Sequence, residues 1–211
     1  MNLEKLEKSI GYKFKDKSLL ITALTHTSYA NEEKTISNEK LEFLGDSILE
    51  FVVSKYLYDN YNNLKEGEMT KVRATVVCEK SLYVVACKHN FSDFLHLSKS
   101  EMNSGGAQKS TILSDSVEAV ISAIYIDAGM EEAEKFILRN LQEAVEIASK
   151  SVGMKDYKTV LQEELQKKGS VEIKYAVIEE TGPDHSKEFT VEVKCNGKKL
   201  AVRTRKYKKR S

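Results

Sequence analysis

The stretch Asn38-Glu39-Lys40-Leu41-Glu42-Phe43-Leu44-Gly45-Asp46-Ser47-Ile48-Leu49-Glu50-Phe51 decides the fold of the amino-terminal part of the chain. Its carboxylates Glu39, Glu42 and Asp46 stand three and four residues apart inside an apolar run. On a helix that spacing stacks them along one face, while Leu41, Leu44, Ile48 and Leu49 turn toward a core. Like charges so placed repel, and a divalent cation, which takes oxygen ligands, is the obvious compensation.

A second acidic pair has the same setting. In Ile112-Leu113-Ser114-Asp115-Ser116-Val117-Glu118-Ala119-Val120-Ile121, Asp115 and Glu118 share a helical face flanked by apolar residues. Unpaired buried carboxylates are costly and tend to become neutral. Two such helices packed face to face would instead gather Glu42, Asp46, Asp115 and Glu118 around one cation. His26, His89, His96 and His185 lack paired spacing with these acids, so the donor set is all oxygen, which favours Mg²⁺ or Mn²⁺ over zinc. Each pair taken singly also reads as a complement to a helix dipole, and composition alone leaves both readings open. The chemistry a metal site would serve is metal-assisted hydrolysis of a phosphodiester. A carboxylate-bridged metal bundle of another kind would want Glu-x-x-His on a helix, and no histidine follows these acids at that spacing.

Outward from these segments, helical periodicity covers residues 1–150. Leu3, Leu6 and Ile10 predict a short first helix closed by Gly11, and Leu19, Leu20, Ala23 and Leu24 a second. The long helix runs from about Asn38 to Tyr61, and another from about Glu66 to Lys88 carries valines that only packing would support. Ser104-Gly105-Gly106 reads as a loop. A buried helix follows from about Thr111 to Asp127, ended by Gly129, and an amphipathic one from Glu131 to Ala148. Ser149-Lys150-Ser151-Val152-Gly153 reads as a linker.

Beyond it the period changes. Residues 156–168 predict one helix. Val171–Val177 and Phe189–Cys195 alternate as half-buried strands do, separated by a turn at Thr181–His185. Asn196-Gly197 is a hairpin signal leading to a third, shorter strand. No internal repeat or low-complexity tract is present.

Charge divides the same way. Of the 211 residues, 1–150 carry a net charge of −5 and 151–211 a net +6. Eight of the fourteen residues from Lys198 to Ser211 are basic and none is acidic. An acidic body with a basic tail region points to a cation site joined to a module for polyanions. Three cysteines without CxxC spacing fit reduced thiols. Met1-Asn2-Leu3-Glu4-Lys5 shows no signal peptide, and no run approaches membrane-spanning length. The expectation is a soluble, cytoplasmic protein.

The run Asn38–Ser47 closely resembles the signature of bacterial ribonuclease III, Asn-Glu-Arg-Leu-Glu-Phe-Leu-Gly-Asp, with Lys40 in place of the usual arginine. Glu66-Gly67-Glu68-Met69-Thr70-Lys71-Val72-Arg73-Ala74, Ser104-Gly105-Gly106 and Ile112–Ala119 are similar to three further family segments, in family order. The resemblance implies an all-α endonuclease domain (the ribonuclease III fold) over residues 1–150 that acts as a homodimer on double-stranded RNA. It further implies a Mg²⁺ cluster at Glu42, Asp46, Asp115 and Glu118, with Mn²⁺ as a substitute and no organic cofactor. Asp46 and Glu118 match the residues called catalytic, and Glu39 and Glu66 match supporting acids. Phe43 matches a residue that packs across the dimer interface; its competing reading is an ordinary core aromatic.

Residues 156–211, after a linker at 151–155, resemble a small α+β double-stranded RNA-binding domain, incomplete at its C-terminus. Gln162 and Glu163 match first-helix positions that face a minor groove, and His185 lies in the segment resembling the loop that reaches a neighbouring groove. Such modules read A-form shape, 2′-hydroxyls and phosphates. The third contact region departs from the family. Where a Gly-x-Gly-Lys-Ser-Lys-Lys loop leads into a final helix, this sequence has Arg203-Thr204-Arg205-Lys206-Tyr207-Lys208-Lys209, with both glycines replaced by arginine, and it lacks the helix. Lys206, Lys208 and Lys209 remain as basic contacts. The missing cover predicts that Val191, Val193 or their strand neighbours are exposed.

The activity implied is Mg²⁺-dependent cleavage of double-stranded RNA to 5′-phosphate and 3′-hydroxyl ends, in ribosomal RNA maturation and messenger RNA processing or decay. The rival from another class is a non-catalytic double-stranded RNA-binding scaffold of the same fold, for instance within a ribosome. Loss of a carboxylate would mark it, and all four are present.

Overall fold

A computed structural model describes residues 3–152, 172–182 and 186–208. The chain forms two compact units, Met1–Met154 and Lys155–Ser211.

In the first unit the described elements are all helical. They are α1 (Leu3–Ile10), α2 (Lys17–Ala23), α3 (Thr27–Glu33), α4 (Glu39–Asn60), α5 (Glu66–Val76), α6 (Glu79–Lys88), α7 (Lys99–Asn103), α8 (Ser110–Ala128) and α9 (Met130–Val152). The organising element is α8. It is apolar almost all round, as a helix must be when neighbours surround it, and α2, α4, α6 and α9 all pack against it. Ile112, Leu113, Val117, Val120, Ile121 and Ile124 bury their side chains there, and Ala119 and Ala123 admit neighbouring helices closely. Gly11, at φ 70°, ends α1, and Gly129, at φ 88°, ends α8.

The expected single helix from Glu66 to Lys88 is two. The backbone leaves helical geometry at Val77 and is extended at Cys78 (φ −78°, ψ 156°) before α6 begins. The break follows from packing: α5 lies on α9, whereas α6 turns Leu82, Val85 and Ala86 toward α8. One straight helix could not serve both partners. Helix α9 is longer than its sequence pattern, continuing through Ser149 to Val152, because Ala148 and Ser149 are still buried. The first part of the expected linker is thus helical. Helices α3 and α7, of 7 and 5 residues, are too short and polar to show a period.

The described part of the second unit is an antiparallel sheet in the order β1 (Ile173–Thr181), β2 (Ser186–Cys195), β3 (Lys198–Lys208). Asn196 and Gly197, at φ 48° and 80°, make the tight turn between β2 and β3, the positive φ pair that such hairpins require. Contrary to expectation β3 is the longest strand, at 11 residues, because it stays paired with β2 as far as Lys208, opposite Ser186. Val191 and Val193 are half-buried, while Val177, Ile178, Leu200 and Val202 are exposed. The helix expected over 156–168 lies outside the described residues.

Candidate metal centre

Gly45 makes the site possible. It is buried on α4 against α8, and a Cβ in its place would run into the backbone carbonyl of Glu118. The two helices therefore meet at closest approach where α4 carries Glu42 and Asp46 and α8 carries Asp115 and Glu118. Carboxylate oxygens of Glu42, Asp115 and Glu118 lie within 4.8 Å of one another, and all three residues are half-buried. Asp46 is exposed and stands outside that trio, yet its charge bears on both Glu42 and Glu118.

Crowded acids in a half-buried place resist ionisation. Burial first, then the charges of Asp46, Asp115 and Glu42, push the Glu118 carboxyl up to about 8. Burial and then Asp115, Glu39 and Asp46 raise Glu42. Burial also raises Asp115, against the opposing pull of Ser114 and His26. Among the described residues, none of the four acids takes part in an ion pair.

This donor set fits a small hard cation. Opposite oxygens of an octahedral Mg²⁺ site stand about 4.1 Å apart, with ligand bonds of about 2.0–2.1 Å. Three carboxylate oxygens within 4.8 Å of one another lie near enough for one such ion to draw them together. Three crowded carboxyl groups that make no ion pair among the described residues are the other half of the fit.

The approach of α4 is held from its start. Asn38, buried, donates its backbone N–H to Thr25 O at 2.9 Å and its side-chain amide to Ala23 O at 3.4 Å. At the start of α8, Lys109 Nζ pairs with Glu101 at 2.6 Å, and Ser110 Oγ donates to Glu79, whose charge bears on Asp115.

The other expected site residues fall in different places. Glu39 is exposed, accepts a hydrogen bond from Ser37 Oγ at 2.7 Å, and acts on Glu42 through its charge. Glu66 is not brought to the cluster within the chain. It lines a cleft of about 340 Å³ with Ser54, Leu57, Tyr58, Met69, Thr70 and Arg73. Leu57 stands fifteen residues beyond Glu42 on the same helix, about 22 Å along its axis. Phe43 is 78% exposed, which excludes the core reading. Lys206 and Lys208 lie in β3, opposite Glu188 and Ser186. Gln162, Glu163, His185 and Lys209 are outside the described residues. Sequence reasoning passed over Gly45, His26, Glu79 and the Lys109–Glu101 pair. Only Gly45 had a visible signal, a glycine inside a helix that must have a packing reason.

Residues 16–145 match the Ribonuclease-III-like family, and residues 157–211 match the double-stranded RNA binding motif. The Ribonuclease 3 of Clostridium perfringens is 46% identical over 197 residues, spanning 93% of this chain and 83% of that protein. The Ribonuclease 3 of Streptococcus thermophilus is 47% identical over 211 residues, spanning 98% of this chain and 91% of that protein. Among solved structures, a nuclease domain of ribonuclease III from Campylobacter jejuni superposes with a TM-score of 0.64 at 47% identity. It covers 68% of this chain and 98% of that domain, and its description refers to a region involved in dimer formation.

Proposed function

The chain belongs to the ribonuclease III family, endoribonucleases acting on double-stranded RNA, and from that premise we propose that Glu42, Asp46, Asp115 and Glu118 form a Mg²⁺-dependent catalytic centre, with Asp46 and Glu118 as its catalytic acids. The observation that carries the reading is the convergence of Glu42, Asp115 and Glu118 with no ion pair among the described residues.

Bound there, Mg²⁺, or Mn²⁺ in its place, supplies Lewis-acid polarisation of the scissile phosphate and lowers the pKa of the attacking water. The chain's own part is to hold and release protons and to orient oxygens. Glu118, pushed up to about 8, keeps its proton near neutrality while the acids stand alone and gives it up when its oxygen is needed as a ligand, so cation uptake releases a proton. Gly45 keeps the two helices at the separation the four carboxylates need. Water attacking phosphorus with the 3′ oxygen as leaving group yields 5′-phosphate and 3′-hydroxyl ends. The cellular tasks are ribosomal RNA maturation and messenger RNA processing or decay, in the cytoplasm.

The working unit of the reading is a homodimer. Phe43, Ser47, Phe51 and Tyr58 form one exposed stripe of α4, with the aromatics 78%, 55% and 74% exposed. Such a stripe in water favours a partner surface. Glu66 then acts as a supporting acid together with Glu39, from a protomer other than the one whose cluster it serves. The domain plan is a nuclease domain over 1–150, a linker over 151–155 and an RNA-binding domain over 156–211. Gln162, Glu163, His185, Lys206, Lys208 and Lys209 contact the duplex.

The test is incubation with a long perfect RNA duplex, first with Mg²⁺ and then with Ca²⁺. Duplex-specific cutting with Mg²⁺ alone is expected; binding without cutting in either ion overturns the catalytic reading. Phe43→Ser is expected to convert the dimer to monomer in sedimentation velocity.

A further inference from the structure

His89, just past the end of α6, is the one buried histidine among the described residues, at 4% exposure, and the metal centre makes no use of it. Its neighbours fix its tautomer. Asn140 on α9 donates its side-chain Nδ2–H to Phe136 O at 2.9 Å, which leaves Oδ1 as the acceptor. That oxygen lies 2.9 Å from His89 Nε2 and 3.0 Å from Lys88 Nζ. Nε2 therefore carries the imidazole proton, and Nδ1 accepts from Ser9 Oγ of α1 at 2.9 Å. One ring ties α1, α6 and α9 together, with the rings of Phe91 and Phe136 beside it at 6.2 and 6.1 Å.

The surroundings oppose a second proton on this ring. Burial first holds the imidazole below the usual histidine range, and Lys88 of α6 and Arg139 of α9 act in the same direction, against the pull of the bonds with Asn140 and Ser9. Helix α1 faces the ring with the Ser9 hydroxyl; its buried acid, Glu7, is engaged by Phe14 N–H at 2.9 Å and Lys17 Nζ at 3.5 Å. A protonated ring is a buried cation with two further cations acting on it, which is costly. Of the three helices α1 is the one that can yield. Helices α6 and α9 are packed on α8, whereas α1 is eight residues long and is held by Leu6, Ile10, the Ser9 bond and a 3.0 Å bond from Arg139 Nη1 to Ile10 O. The residues after α1 are fastened separately. Asp127, on α8, accepts the Tyr12 O–H at 2.5 Å, the Lys15 N–H at 2.8 Å and the Asp16 N–H at 3.0 Å. Burial raises the Asp127 carboxyl, but these bonds outweigh it and hold the group below the usual carboxylate range, so the clasp stays ionised where a histidine titrates.

We propose that His89 is a pH-sensitive latch on α1: neutral, it ties Leu3–Ile10 to α6 and α9, and protonated, it lets that helix come away while residues 12–16 stay clasped to Asp127. The unlatched ring, in water, takes up a proton in the ordinary histidine range, at about 6.5. The latched ring does so only at lower pH, so the docking of α1 is most stable above that range and weakens as pH falls through it. One pH unit below the ordinary value, the opening of α1 is favoured by about tenfold. The latch does not depend on the metal centre.

The experiment is hydrogen exchange of the full chain in EDTA at about pH 7.5 and about pH 5.5, read by mass spectrometry and corrected for the intrinsic exchange rate. Protection over residues 3–10 is expected to fall by about tenfold at the lower pH, with residues 12–16 unchanged. His89→Gln, which cannot take up the proton, is expected to protect α1 equally at both pH values. Lys88→Glu, at an exposed position, puts an acid beside the ring and is expected to shrink the acid-induced loss, which keeps the latch testable if His89→Gln fails to fold. If α1 keeps its protection at the lower pH, or loses it to the same extent in either variant as in the parent, the inference falls.

Discussion

Two glutamates, one in each unit, show opposite ways of keeping a carboxylate out of water. Glu192 on β2 has a side chain only 11% exposed, with Lys194 Nζ at 2.8 Å and Lys199 Nζ at 3.5 Å. Its hydrogen bond with Lys194 holds it below the usual carboxylate range. Glu118 on α8 is half-buried, but its neighbours are Asp46, Asp115 and Glu42, and it is pushed up to about 8. The sheet satisfies its acid from within the fold. The helical unit leaves Glu42, Asp46, Asp115 and Glu118 without an ion pair among the described residues, a crowding that the proposed cation would relieve.

The largest expected effect breaks the contrast at Glu118 itself. Glu118→Ala should lower duplex cleavage by at least roughly 10²–10³-fold, the usual cost of losing one group that stabilises transition-state charge. Duplex binding in Ca²⁺, measured by filter retention, should stay close to that of the parent. Cleavage at a near-normal rate would show that the unpaired acid is an accident of packing.

Next in size is the helix contact that creates the crowding. Gly45→Ala must push α4 off α8, at a cost of about 1–3 kcal/mol for overpacking, read as a drop in melting temperature together with weakened Mn²⁺ binding.

A smaller effect is the pH dependence of stability without metal. Because the folded pKa of Glu118 lies above its unfolded value, the unfolded chain loses that proton first. The folded state binds more protons between the ordinary carboxylate range and about pH 8, so stability is greatest below that range and falls as pH climbs to about 8. Glu192 has the opposite sign: its contribution is present above the ordinary carboxylate range and is lost as pH falls through its lowered folded pKa. Urea melts in EDTA from pH 5 to 8.5 should show stability falling toward the alkaline end, with the slope reduced in Glu118→Gln and by added Mg²⁺. A flat or rising profile would contradict the assignment.

The smallest is a control of the opposite sign. Gly67 in α5 has open space where a Cβ would go, so Gly67→Ala should stabilise the helical unit by roughly 0.5–1 kcal/mol in the same melts.

Helices α4 and α8 were readable because each carries a long apolar period, and burial enforces that period. The acids were readable as candidates for the same reason, since a carboxylate inside an apolar helix needs a cause. The break at Cys78 was not readable. Val72, Val76, Val77, Leu82 and Val85 look like one continuous pattern, and only the directions of α9 and α8 separate them into two helices. The length of β3 was hidden because Arg203–Lys208 is too basic to read as a strand; pairing with β2 supplies the backbone bonds that make it one. His26 was hidden because its capping hydrogen bond with Ser28 looks like an ordinary helix start.

By itself, the sequence determined the long helices α4 and α8, which of their faces are buried and which carboxylates interrupt them, because these follow from local periodicity and the cost of burying charge. Only the tertiary structure decided that Glu42 meets Asp115 and Glu118, and that Glu66 lines a separate cleft with Leu57, which lies about 22 Å along α4 from Glu42. Those facts depend on where two helices cross, and the crossing is set by the absence of one side chain at Gly45.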